Sequence, residues 1–170
     1  MGTHRPKLLA LAVVVAAILV PATLAAATFV SPLYHYTLQV PPGFHTHPAK
    51  IPVAPGFYPS SPGPGTDEFI SGKNVIGIAA TQLTRPISTA DWATSRREVI
   101  GKYYSCYHPN SHATTLAGAP AVELEYVNCY GGSFDAIEAV HGNLGYDVYW
   151  LGAREHGTLE RDVRSFRFTG

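Results

Sequence analysis

Thr115-Leu116-Ala117-Gly118-Ala119-Pro120-Ala121-Val122-Glu123-Leu124-Glu125-Tyr126 decides the fold. Val122, Leu124 and Tyr126 alternate with Glu123 and Glu125, the period of two that marks a half-buried strand. Ala117-Gly118-Ala119-Pro120 interrupts the pattern with turn residues. The stretch therefore predicts a hairpin of Ala113–Leu116 with Ala121–Cys129. The same design follows at once: Phe134–His141 and Tyr146–Leu151 flank Gly142-Asn143-Leu144-Gly145. The second half of the chain reads as an antiparallel meander.

Working outward, Tyr34-His35-Tyr36-Thr37-Leu38-Gln39-Val40 alternates as well. Tyr34, Tyr36, Leu38 and Val40 share one face; His35, Thr37 and Gln39 share the other. Residues 41–65 then hold eight prolines and four glycines. That is too many breakers for regular structure, and a long loop is expected, pinned by Ile51, Val53, Phe57 and Tyr58. Asn74–Leu83 reads as a strand ended by Arg85-Pro86. Ser88 or Thr89 offers an N-cap, with Asp91 in the first turn. A helix is expected from Ala90 to Tyr104, with Trp92, Val99 and Tyr103 inward and Arg96, Arg97 and Lys102 in water. Thr158 would cap a short helix at Leu159–Arg164. Phe166 and Phe168 close the chain in an edge strand.

The N-terminus sets the compartment. His4, Arg5 and Lys7 precede Leu8–Val30, which has no charged side chain. Leu8–Val20, the break at Pro21 and Ala25-Ala26-Ala27 fit a signal peptide over residues 1–27, cleaved after Ala27. The full run, residues 8–30, also reaches the roughly 20 apolar residues of a transmembrane anchor. In that case the basic start keeps the N-terminus inside and the domain outside. Both readings export residues 28–170 as a single domain, secreted or held at the cell membrane.

Composition narrows the partners. Lys and Arg number 12 and Asp and Glu 12; removing Arg5 and Lys7 leaves 10 basic against 12 acidic residues. No basic field exists to hold nucleic acid. Ten tyrosines suit either strands or a recognition surface. No G-x-S-x-G elbow, phosphate loop or H-E-x-x-H is present.

Few residues carry candidate chemistry. Cys106 and Cys129 are the only cysteines, and in an oxidising compartment a pair is most simply a disulfide. A turn centred on Ala117-Gly118 would set the two opposite each other across the extended hairpin, interrupted by Pro109. His45-x-His47 could place two imidazoles on one side of an extended chain as metal ligands, with Asp67 and Glu68 as further donors if the loop folds back. Otherwise these histidines are simply solvated. His108 and His112 read as loop residues, and His141 as half-exposed beside a turn. Glu123 and Glu125 share a strand face, which could support hydrolysis but reads first as the wet side of the sheet, like Asp135 and Asp147.

The ordered series Tyr-Thr-Leu-Gln-Val-Pro-Pro-Gly-Phe, Ser-Thr-Ala-Asp-Trp, the hairpin quoted above, Gly-Tyr-Asp-Val-Tyr-Trp-Leu and Val-Arg-Ser-Phe-Arg-Phe resembles the PsbP-like family. That family is named for an extrinsic subunit of the photosynthetic oxygen-evolving complex and shares its fold with Ran-binding Mog-type proteins. The resemblance runs from Tyr34 to Phe168; the proline loop and the cysteines depart from it. It implies an α+β fold, an α/β/α sandwich whose central antiparallel sheet is flanked by helices. It also implies a non-catalytic accessory or binding role for an envelope protein or small ligand, without a cofactor. It supplies no active site.

Overall fold

The computed structural model describes residues 27–54, 63–105, 107–129, 132–152 and 161–170. Among these residues, ten strands and one full helix follow in chain order: β1 (Thr28–Val30), β2 (Tyr36–Gln39), β3 (His45–His47), β4 (Asp67–Ser71), β5 (Asn74–Gln82), α1 (Thr89–Tyr104), β6 (Tyr107–Leu116), β7 (Ala119–Cys129), β8 (Gly132–His141), β9 (Leu144–Leu151) and β10 (Arg167–Phe168). They build an antiparallel seven-stranded sheet, β3-β4-β5-β9-β8-β7-β6, and a three-stranded sheet, β1-β2-β10. Among the described residues no helix is long and apolar enough to cross a membrane.

Both expected hairpins form, with longer strands than the pattern gave. The first turns on Ala117 and Gly118 alone, both at positive φ (51° and 82°), as a two-residue type I′ hairpin requires. Its register is the expected one from Leu116↔Ala119 to Asn110↔Glu125, then slips so that Tyr107 faces Val127. The slip falls at Pro109, which cannot donate to the ladder. His108 and His112 thus lie on strand β6, not in a loop: the bulge absorbs the proline and pairing resumes beyond it.

The proline-rich segment is a second correction. His45–His47 forms edge strand β3, paired with β4 through Thr46↔Phe69. Phe44 to His47 is free of proline and glycine, long enough for a short edge strand. Val53 adds a parallel bridge to Thr81 and is buried, whereas Ile51 is 52 % exposed. Phe57 and Tyr58 lie outside the described residues. At the front of the domain, β1 pairs with β2 through Phe29↔Leu38. Thr28–Val30, counted with the apolar export segment in the anchor reading, is therefore part of the folded sheet. Residues 1–26 lie outside the described residues.

Helix α1 starts where expected. Ser88 is the N-cap: its Oγ accepts from the Asp91 amide at 3.1 Å and donates to the Asp91 carboxylate at 2.7 Å. The reciprocal pairing satisfies an orphan amide of the first turn. Ser105, in the left-handed region, ends the helix.

One face of the large sheet meets α1, where Ile100, Leu124, Tyr126, Phe134, Ala136 and Tyr149 pack together. The other face meets the small sheet, where Tyr36, Leu38, Phe69, Ile78, Val148 and Phe166 belong to the larger core. Tyr36 stacks on Phe166 at 4.7 Å. The expected sandwich has helices on both faces: α1 covers one face, and the small sheet with the segment Arg161–Ser165, whose first two residues are helical, covers the other. The expected short helix at Leu159–Arg164 falls partly outside the described residues, which retain helical backbone at Arg161 and Asp162. The tyrosines whose burial is described, Tyr34, Tyr36, Tyr126, Tyr146 and Tyr149, are all core residues, so they are strand packing and not a recognition surface.

Candidate functional site

Three groups of polar residues could carry function, and the sheet registers explain each. The first lies under α1. Trp92, Arg96 and Ile100 are four apart and all buried, so one helix stripe faces the sheet. Arg96 Nη2 donates to Asp147 Oδ2 at 3.0 Å, both side chains being 3 % exposed. Its guanidinium also sits 5.2 Å from the centroid of the Trp92 ring, within cation–π range. Glu138 stands directly opposite Asp147 in the β8–β9 register and is fully buried. Neither Glu138 oxygen has a hydrogen-bond donor among the described residues. The nearby Trp92 indole N–H is donated instead to the Tyr146 carbonyl at 2.8 Å.

Two facing carboxyls with one close guanidinium cannot both ionise cheaply in a dry interior. Burial, then the neighbouring Asp147, push the Glu138 carboxyl well above its usual range. Burial raises Asp147 too, against the opposing pull of Arg96. The arrangement that follows is a neutral Glu138 beside an Asp147 paired with Arg96. Burial likewise raises the nearby Tyr126 hydroxyl. The cluster can store a proton, and Glu138 and Asp147 are both buried beneath α1. The expectations that Arg96 and Asp147 stay wet are both overturned, because each lies on the stripe the helix and sheet bury together.

The second group lies on the opposite sheet face. His112, Glu123 and Ile137 form one row across β6, β7 and β8. The His112 Nε2 is 3.0 Å from Glu123 Oε2, with the imidazole half exposed and the carboxylate nearly buried. Glu123 is thus not the solvated carboxylate expected of an outward strand position; the paired histidine and the sheet enclose it. Asn110 Nδ2 donates to Glu125 Oε2 at 3.4 Å. A groove of about 490 Å³ adjoins this row, floored by Thr114 and Ile137 and walled by Val163, Arg164 and Arg167.

The third group centres on Asp67, also fully buried. Its carboxylate accepts from Ser31 Oγ at 2.6 Å, Tyr36 OH at 2.9 Å and the Ala49 amide at 2.7 Å. It thereby ties the proline-rich segment and the small sheet to β4. Burial, then Asp67, raise the Tyr36 hydroxyl well above its usual value, and the same causes push Tyr34 up to about 12.

The remaining candidates are dispersed. His45 and His47 are both exposed on one side of edge strand β3, as their spacing required. Among the described residues no group of three His, Cys, Asp or Glu side chains could hold a metal ion. Asp67 is engaged with neutral donors, and Glu68, paired in register with His47, is buried and accepts from the Gly63 amide. His141 is half-buried, stacked on Phe168 at 4.0 Å. Asp135 is partly buried. Cys129 ends β7, and Cys106 lies outside the described residues.

This is a two-sheet α+β domain whose buried polar groups bind its own layers together. No family model and no curated protein matches the chain. Among solved structures it is similar to cyanobacterial PsbP (CyanoP) from Synechocystis sp. PCC 6803, with a TM-score of 0.56 and 13 % identity over 87 % of this chain and 95 % of that one. The chain has a PsbP-like fold over most of its length.

Proposed function

We propose that this protein is an exported, non-catalytic accessory domain that binds a protein or small ligand at the cell envelope. The observation that carries the reading is the PsbP fold spanning nearly the whole chain, joined to the apolar segment that precedes it. The polar clusters support it: Glu138 and Asp147 are sealed, and Glu123 is engaged by His112. Fold alone does not assign function; the compartment and the closed clusters give the reading its content. The test is a tagged full-length chain in cells of its source. Protease added to spheroplasts should digest the domain, and cross-linking before lysis should yield a discrete adduct. A protected domain, or no adduct, overturns the proposal.

The same compartment supports a Cys106–Cys129 disulfide. Cys129 ends β7 at the end of the hairpin where β6 begins with Tyr107, directly after Cys106. Closing a loop of this size stabilises by roughly 3 kcal/mol in the chain-entropy model. Alkylation of the unreduced, denatured protein should leave its intact mass unchanged; two labelled thiols would refute the bond.

A further inference from the structure

The chain enters the small sheet beside an arginine-rich groove. The Ala27 carbonyl accepts from the Val40 amide at 2.8 Å, so the export segment departs next to the end of β2. On the other side of β2, the Gln39 amide donates to Ser165 Oγ at 3.0 Å. β1 and β10 flank β2, which puts Ala27 and Ser165 two strand spacings apart, roughly 10 Å.

Ser165 sits within the basic strip. Arg161, Arg164 and Arg167, each exposed, line one groove of about 430 Å³ together with Val40, Pro41 and Pro42. Arg164 and Arg167 also wall the groove beside Ile137. Among the described residues Asp162 is the one acidic residue lining the first groove, 3.7 Å from Arg161, against three arginines. Arg167 Nη1 donates to the Arg164 and Phe166 carbonyls at 2.9 and 2.6 Å, holding its head at the groove wall. The chain elsewhere is poor in charge, 14 % in all. Three arginines at the chain's point of departure form a concentrated feature.

We propose that this end of the domain, Val40–Pro42 with Arg161, Arg164 and Arg167, is a membrane-facing surface that binds anionic lipid headgroups. The proposal rests on export and takes the anchor form of the N-terminal segment. A span ending near Ala27 leaves no linker before β1, so the nearest surface of the domain must lie at headgroup level. The surface found there is basic, with two prolines and a valine beside the arginines. Guanidinium groups bind phosphate bidentately, and attraction to an anionic leaflet fades within a Debye length. An acidic protein segment has similar charge, but the N-terminal segment, in its anchor form, brings the membrane itself to this spot.

The test uses the uncleaved full chain in nanodiscs of neutral phosphatidylcholine and of phosphatidylcholine with phosphatidylglycerol. Hydrogen exchange at residues 39–42 and 161–168 should slow several-fold in the anionic discs. Added salt, or the R161Q/R164Q/R167Q variant, should abolish the slowing while exchange in β7 and β8 stays unchanged. Equal exchange in both lipids, with the chain intact in the membrane, overturns the surface and leaves export standing. Recovery from cells of a soluble chain beginning at Thr28 overturns the tether and the surface with it. Slowing by an acidic peptide but not by lipid assigns the groove to a protein partner and also overturns the proposal.

Discussion

The two faces of the large sheet bury carboxylates in opposite ways. On the small-sheet face, Asp67 is held by three neutral donors: Ser31, Tyr36 and a backbone amide. On the helix face, Asp147 faces Arg96, and Glu138 faces Asp147 with no hydrogen-bond donor among the described residues. The first solution uses dipoles already fixed by the fold and ties three chain segments together. The second brings one close cation to two acids and must hold a proton. A carboxylate among oriented donors is a joint; a carboxyl pair under one guanidinium is a charge balance that pH can disturb.

The largest break in that contrast is expected from Arg96→Met. Met fills the volume but leaves two buried acids without their cation. Removing one partner of a buried ion pair costs about 3–5 kcal/mol, read by denaturant unfolding at neutral pH. Part of the loss should return in acid, where both carboxyls are protonated and need no counter-charge. Equal losses at both pH values would show that Arg96 acts by packing alone. Next is Asp67→Asn, which replaces an acceptor oxygen with an amide donor aimed at groups that also donate. Lost charge-assisted bonds of this kind cost about 2–3 kcal/mol. Proteolysis within residues 48–54 should accelerate along with the loss of stability, since Asp67 accepts from Ala49. An unchanged cleavage rate would break the idea that Asp67 pins this segment.

A smaller effect tests how closely the helix sits on its face. A Cβ at Gly145 would come 2.7 Å from the Trp92 ring, which is fixed by its indole bond to Tyr146. Gly145→Ala should therefore cost about 1–3 kcal/mol by overpacking and alter the near-ultraviolet circular dichroism of the tryptophan. A neutral result would mean that α1 can ride up, and that the helix face is softer than the small-sheet face.

The hairpins were legible because alternation and glycine turns are local signals, and Pro109 announced its own break in the ladder. β3 was hidden because proline and glycine dominate the composition around His45–His47, though pairing with β4 needs only three residues free of breakers. The PsbP-like order of elements is legible in the sequence as well. The charged cluster was not. Arg96 looked like a wet helix residue, yet its spacing from Trp92 and Ile100 placed it on the inner stripe. Glu138 shares a strand face with Phe134 and Ala136, and Asp147 shares one with Tyr149. An isolated charge within an apolar row was the available clue. Nothing local says that three such charges, from α1, β8 and β9, meet; that follows only from the strand order and the placement of the helix.

Glu138→Gln gives the finest test because it should change a slope more than a stability. The folded protein keeps a proton on Glu138 above the ordinary carboxylate range, while the unfolded chain releases it near pH 4. Between those limits the folded state binds more protons, so stability must fall as pH rises, and the loss is complete only above the raised folded value. The ionisable groups facing Glu138 are Arg96 from α1, Tyr126 from β7 and Asp147 from β9. The Arg96 guanidinium keeps its charge throughout this window, and burial holds Tyr126 protonated beyond it. Asp147 also binds its proton more tightly than in the unfolded chain, so some slope will survive the substitution. Gln keeps the shape and an amide donor for Asp147 but never ionises. At acid pH the variant should lie within about 1 kcal/mol of the parent, and above neutrality it should become the more stable of the two. Parallel stability–pH curves for the two proteins would show that Glu138 holds no proton and that the helix face, like Asp67 opposite, manages its charges with dipoles alone.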